Sequence, residues 1–118
     1  MCGRFTRKEN MQYLAEQLGL KALPTLHPRY NIAPSQLVAC VRTNLETPQR
    51  ECKELKWGLV PSWAKDASIG NKLINARGET VAEKPAFRKA FKHQRCLVLA
   101  DGFYEWKGAE TKKVKTPF

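Results

Sequence analysis

The chain contains no apolar run approaching the roughly 20 residues that a bilayer-spanning helix needs, and its N-terminus lacks the basic-then-apolar layout of a secretory leader. A membrane partner is therefore not expected, and a cytoplasmic location is. There is no CxxC pair among Cys2, Cys40, Cys52 and Cys96, and only His27 and His93 could add imidazole, so the spacing offers no zinc site and no metal or cofactor is expected. Acidic side chains are scarce, 11 against 21 basic ones, and the resulting charge of +10 draws the protein towards polyanions, either nucleic acid or an anionic membrane surface, between which composition does not choose. Glycine-rich phosphate loops, a Ser-His-Asp arrangement, internal repeats, low-complexity tracts and linkers are all missing.

What the chain does have is a cysteine directly after the initiator, in Met1-Cys2-Gly3-Arg4-Phe5. Loss of Met1 leaves Cys2 with a free α-amine beside its thiol, and no internal cysteine offers that pair. An aldehyde condenses with the amine to an imine, and the thiol then closes on the imine carbon to give a five-membered thiazolidine. Neither group needs extreme activation, because an unperturbed α-amine titrates at about 7.7–8.0 and a thiol at about 8.5. The competing reading is that Cys2 simply begins a buried strand, free cysteine being among the most buried residue types. In a reducing compartment Cys40 and Cys96, which lie in apolar runs, read as small core residues, and Cys52 less clearly so.

With 118 residues, 42% of them hydrophobic, the chain can bury one core and reads as one domain or a piece of one. Thr6 and Glu9 have capping-box spacing, and Met11, Leu14, Ala15 and Leu18 recur at helical intervals before Gly19, which predicts a helix over residues 7–18. Residues 20–34 read as an irregular connection. Leu37 to Val41 and the alternating stretch around Leu55 and Trp57 read as a hairpin across the turn residues 43–49, with Trp57 in the core. Residues 60–71 suit an ordered loop. Pro85 fits the first turn of a helix burying Phe87 and Phe91, with Lys84, Arg88, Lys89 and Lys92 forming a basic face. Residues 96–100 read as a fully buried strand, Phe103 to Trp106 as another ending at Lys107-Gly108, and Val114 to Phe118 as the start of a further one. Short strands with two helices predict an α+β domain.

Four stretches together carry a resemblance: MCGRF at the start, RYNIAPSQ from Arg29 to Gln36, WGLVPSWAKD from Trp57 to Asp66, and INARGETVAEKPAFR followed by CLVLADGFYEWK between Ile74 and Lys107. In this order the chain resembles the SOS response-associated peptidase (SRAP) family of abasic-site processing proteins. The resemblance implies a β-barrel-like α+β fold of short, mainly antiparallel strands with flanking helices. It also implies a mature N-terminal Cys2 that crosslinks, as a thiazolidine, to the aldehyde of abasic sites in single-stranded DNA during the DNA damage response, in association with the nucleoid. Carried over by motif, Asn75 would hold the cysteine end and the sugar aldehyde, Glu105 would shuttle protons, and Arg77 would bind the flanking phosphate. Arg4 is a further phosphate candidate, Trp63 and Trp106 are candidates for stacking on unpaired bases, and Pro34 for a rigid loop that separates bases.

These roles have chemical reasons of their own. Imine formation needs proton transfers that a carboxylate beside the amine can perform, provided burial raises the Glu105 pKa. Asn75 offers donors and an acceptor without charge, and Arg77 can fork onto a phosphate unless Glu79 or Glu83 pairs with it. Family members continue beyond Lys-Thr-Pro-Phe with further strands and a His-x-Arg-Met-Pro segment, and neither His27 nor His93 occupies that motif. The chain is thus expected to be the N-terminal portion of one SRAP-like domain, residues 1–118, incomplete at its C-terminus. Self-association, or another chain that completes the barrel, is expected to follow from the exposed strand edges. Crosslinking through Cys2 needs none of that missing segment, whereas reversal and lyase cleavage by β-elimination would draw on its histidine. Two alternatives stand beside this: a cysteine peptidase that processes its own N-terminus through Cys2, and a non-catalytic module that binds modified or single-stranded DNA by charge and stacking.

Overall fold

Apolar and β-branched residues concentrate in Leu-Val-Ala-Cys-Val, and this segment forms the centre of the molecule. In the computed structural model, which describes residues 2–9, 11–22, 25–108 and 115–117, it is strand β3 (Leu37–Thr43). It pairs antiparallel with β4 (Arg50–Lys56), from Leu37 opposite Lys56 to Thr43 opposite Arg50. The turn is set by Asn44, whose side-chain oxygen accepts from the Glu46 and Thr47 amides, an Asx turn. Arg42 and Glu51 close the hairpin with a 3.0 Å ion pair.

Buried on both faces, β3 separates two apolar clusters. Val38 and Cys40 face Phe5 and Ile32, with Cys2, Leu55 and Trp57 packed against them. Ala39 and Val41 face Leu99, with Leu14, Leu18, Leu20, Leu26 and Cys52 around them. The first cluster joins this sheet to a second one, in which β1 (Phe5–Arg7) lies between β2 (Arg29–Ile32) and β6 (Gly102–Phe103). On its other edge β3 pairs with β5 (Leu97–Val98), and β7 (Trp106–Gly108) pairs with β8 (Lys115–Pro117). Two short helices, α1 (Gln12–Gln17) and α2 (Arg88–His93), and a 3-10 turn at Ala67–Asn71 complete the described elements. The architecture is α+β with antiparallel pairing throughout, and no closed barrel is formed among the described residues.

Several expectations need correction. The first helix is half the predicted length, because Thr6 and Arg7 are taken by β1 and the Thr6 hydroxyl donates to Asp101 at 2.6 Å rather than capping a helix. The other oxygen of Asp101 accepts from the Lys8 and Glu9 amides at 2.7 and 2.8 Å, so a carboxylate far along the chain does the work assigned to a capping box. Gly19 does end the helix, at φ +70°, with the Leu20 amide reaching back to the Ala15 carbonyl. The irregular connection contains β2. Residues 96–100 are not a buried strand: only Leu99 is buried, Cys96 is exposed, and Leu97 and Val98 are 58% and 50% exposed. The reason is that β5 pairs with β3 alone, leaving its outer edge uncovered among the described residues. Phe91 is also exposed, with the Arg95 guanidinium 4.7 Å above its ring. The expected strand over Phe103 to Trp106 is split between β6 and β7. Of the strand from Val114 to Phe118, both named ends lie outside the described residues, as does Met1.

Candidate active site

Cys2 precedes β1, and its position follows from what that strand is tied to. Beyond Cys2, the Arg4 carbonyl accepts the Tyr104 amide at 3.0 Å, and Phe5 pairs with Ile32 on one side and Phe103 on the other. On the Cys2 residue itself, the Asn75 side-chain amide donates to the carbonyl at 2.8 Å, a contact between residues 73 positions apart. The Cys2 thiol lies half-buried, 3.7 Å from the Arg4 carbonyl. A chain end that would otherwise fray is therefore gripped at both sides of Gly3.

Asn75 reaches Cys2 because the long connection after β4 folds back on itself. Gly58, at φ +131°, crosses Gly70 so closely that a Cβ on Gly58 would collide with the Gly70 carbonyl. The Leu59 amide then bonds the Leu73 carbonyl at 3.0 Å, which delivers Ile74 and Asn75 to the front of β1. Trp57 completes the arrangement: its indole N–H donates to the Ile74 carbonyl at 2.9 Å, and its ring lies 5.4 Å from that of Phe5. Glu105 is brought in by Tyr104, whose amide bonds Arg4 and whose hydroxyl donates to the Tyr30 carbonyl at 2.8 Å.

Cys2, Asn75, Glu105 and Trp57 all line one cleft of about 870 Å³, whose remaining walls are largely apolar and include Val38, Leu55 and Phe103. Glu105 is exposed, so the burial invoked for a raised carboxyl pKa is not present. Arg4, Arg77, Pro34, Trp63 and Trp106 do not line this cleft. Arg4 is near Asn31, with Nη1 3.4 Å from its side-chain oxygen. Arg77 is exposed, and neither Glu79 nor Glu83 pairs with it. Trp63, 59% exposed, borders a separate depression with Pro85, Arg88 and Lys89, and Trp106 is exposed beside Glu105. Pro34 is half-buried in the turn after β2, which is fixed by the Gln36 side chain accepting from the Ala33 amide and from Arg29.

Cys96 is exposed and lines the same cleft, whereas Cys40 and Cys52 are held as thiols by their surroundings. Burial, with Cys96 close by, pushes the Cys40 thiol up to about 12, and burial raises that of Cys52 despite the nearby Arg7. Neither supplies thiolate readily near neutral pH. Sequence reasoning missed the part played by Trp57, which it assigned only to packing. The signal was available, since a tryptophan placed in a core needs an acceptor for its N–H. It also missed Asp101, which falls between the strands expected at residues 96–100 and 103–106.

A sequence model of the SOS response associated peptidase (SRAP) family matches residues 1–118. The chain is 45% identical over 115 residues to the abasic site processing protein YoqW of Bacillus subtilis (strain 168), covering 95% of this chain and 50% of that protein. It is 36% identical over 101 residues to the abasic site processing protein HMCES of Mus musculus, covering 77% of this chain and 29% of that one. The crystal structure of a phage-related protein from Bordetella bronchiseptica superposes with a TM-score of 0.74 at 29% identity, over 98% of this chain and 53% of that one. A Bacteroides thetaiotaomicron protein of solved structure shares the fold with a TM-score of 0.76 at 21% identity, over 98% of this chain and 52% of that one. The chain thus spans about half the length of the Bacillus relative it matches. Because the family model matches residues 1–118 of this chain, the chain belongs to the SOS response associated peptidase family.

Proposed function

We propose that this chain processes abasic sites in single-stranded DNA by covalent capture through a mature N-terminal Cys2, as part of the DNA damage response. The observation that supports this reading is the 2.8 Å bond from the Asn75 amide to the carbonyl of Cys2, a residue that lines the same cleft as Glu105. The names of the relatives, abasic site processing proteins, support the same substrate class.

In the proposed reaction the α-amine of Cys2 adds to the open-chain sugar aldehyde. The carbinolamine loses its hydroxyl as water to give an imine, and the thiol sulfur then bonds to the imine carbon while its proton passes to nitrogen. One water leaves overall. Glu105, a solvent-exposed carboxylate, takes a proton from the nitrogen of the added amine and gives it to the departing hydroxyl, and then relays the thiol proton to the ring nitrogen; positioned acid–base groups typically contribute about 10²- to 10⁴-fold. At the imine stage the neighbouring sugar proton is acidified, and its removal would expel the 3′ phosphate, which is the lyase branch. Arg77 and Arg4 bind flanking phosphates, Trp63 and Trp106 stack on unpaired bases, and Pro34 holds bases apart. Residues 1–118 form the N-terminal portion of one SRAP-like domain, which works in the cytoplasm and at the nucleoid. The apolar cleft wall and the uncovered edge of β5 support either self-association or a second chain that completes a barrel-like sheet.

The test is to incubate the protein with an oligonucleotide bearing one abasic site and to look for a conjugate that survives denaturation. The wild type with Met1 removed gives it, and Cys2→Ala and a form retaining Met1 do not. A conjugate that persists with Met1 in place would instead favour an ordinary thiol nucleophile, as in the peptidase alternative. Salt-sensitive binding with no conjugate would leave a non-catalytic DNA-binding module.

A further inference from the structure

We infer that Trp57 is the positioning residue of this site, a single side chain and backbone that lock the Cys2 holder and the Pro34 turn to the same frame. Three independent contacts meet there. The indole N–H donates to the carbonyl of Ile74, the residue directly before Asn75, at 2.9 Å. The ring packs against Phe5 at 5.4 Å, tilted by 55°, on the strand that carries Cys2. The Trp57 backbone bonds the turn at both ends, its N–H to the Gln36 carbonyl and its carbonyl from the Ser35 N–H, each at 2.9 Å.

The turn is a conformation that needs such support, because Ser35 sits at φ +72°, a region that non-glycine residues seldom occupy. Asn75 needs support for another reason. It lies in a stretch without helix or strand, and its grip on Cys2 is only as well placed as the peptide before it. Directly after Trp57, Gly58 lets the chain turn under Gly70, so the indole meets Ile74 as the connection returns. Trp57 therefore acts through Asn75 and the turn, and proximity of amine, thiol and aldehyde is the quantity it controls.

This rests on the covalent-capture reading above, and the experiment separates the two. Trp57→Phe keeps an aromatic ring and removes the N–H. Incorporation of β-(3-benzothienyl)alanine at position 57 removes the N–H at nearly constant size, should the phenylalanine variant fail to fold. With abasic oligonucleotide at saturation, the conjugation rate should fall about three- to tenfold, the size of one neutral hydrogen bond's net contribution, while reversible affinity for an intact oligonucleotide is unchanged. Combined with Asn75→Ala, the change at position 57 should add no further loss. A wild-type rate, a multiplicative loss in the double variant, or a loss confined to affinity would overturn the inference. If the wild type forms no conjugate, the capture reading fails and a DNA-free measurement decides this one. The ¹H–¹⁵N NOE of the Asn75 side-chain amide should drop when the indole N–H is removed, and an unchanged NOE would overturn it.

Discussion

At the scale of single residues, the site depends on two side chains that reach across most of the sequence. Asn75 holds Cys2 by its carbonyl, away from the nitrogen and sulfur that the proposed capture would use. Asn75→Ala should therefore slow conjugation by about tenfold or more without removing it, as expected when orientation of a chain end is lost rather than the nucleophile; single-turnover gel kinetics read this directly. Asp101 ties the start of β1 and the following turn to β6 through Thr6, Lys8 and Glu9. Local desolvation alone would raise the carboxyl pKa of this exposed residue, but the hydrogen bonds from Thr6, Glu9 and Lys8 and the Lys8 charge outweigh it and hold the group below its ordinary 3.8. A carboxylate with a depressed folded pKa contributes its stability above the unfolded value and loses it as pH falls through the folded one. Denaturant midpoints should accordingly decline as pH drops below 3.8, and that slope should shrink in Asp101→Ala. At pH 7 the same substitution should cost about 1 kcal/mol, the low end for lost partners, because the Lys8 and Glu9 amides can turn to water.

At the scale of elements, the crossing of Gly58 under Gly70 delivers Asn75. Gly58→Ala forces a Cβ into the Gly70 carbonyl at a positive φ, and should cost about 1–3 kcal/mol or more. The expected signature is a lowered Tm together with slower conjugation, whereas Gly78→Ala, where a Cβ meets nothing within 4 Å, should change neither. The hairpin of β3 and β4 was legible in the sequence because period-two alternation and turn residues are local signals. Gly19 was legible for the same reason. The capping box was not, since Thr6 had a stronger partner 95 residues away that no local pattern encodes. The run at residues 96–100 was misread because hydrophobicity reports that a strand can be buried, not whether a neighbour covers it.

At the scale of the whole molecule, the radius of gyration of 16.1 Å exceeds the roughly 13.5 Å of a compact chain of this length, in keeping with an open cleft whose wall residue Phe103 is 66% exposed. Sedimentation across a concentration series should show growth in size if copies of the chain cover that wall, and constant size if they do not. The charge of +10 sets a second expectation. The two phosphate contacts proposed for Arg4 and Arg77 would give a slope of about −1.4 in log affinity against log salt for single strands, and Arg77→Ala should then make it shallower by about 0.7. Cys2 was legible as a candidate because it directly follows Met1 in the sequence, and Asn75 and Glu105 came from motif. Their convergence on one cleft depends on the Gly58 crossing and the Tyr104 anchor, which composition and spacing do not reveal. The most direct measurement is peptide mass spectrometry of the digested DNA conjugate. The account predicts an adduct on the peptide beginning at Cys2, without Met1, with the mass of the sugar aldehyde remnant less one water; an adduct on a lysine or an internal cysteine, or on a peptide still carrying Met1, would contradict it.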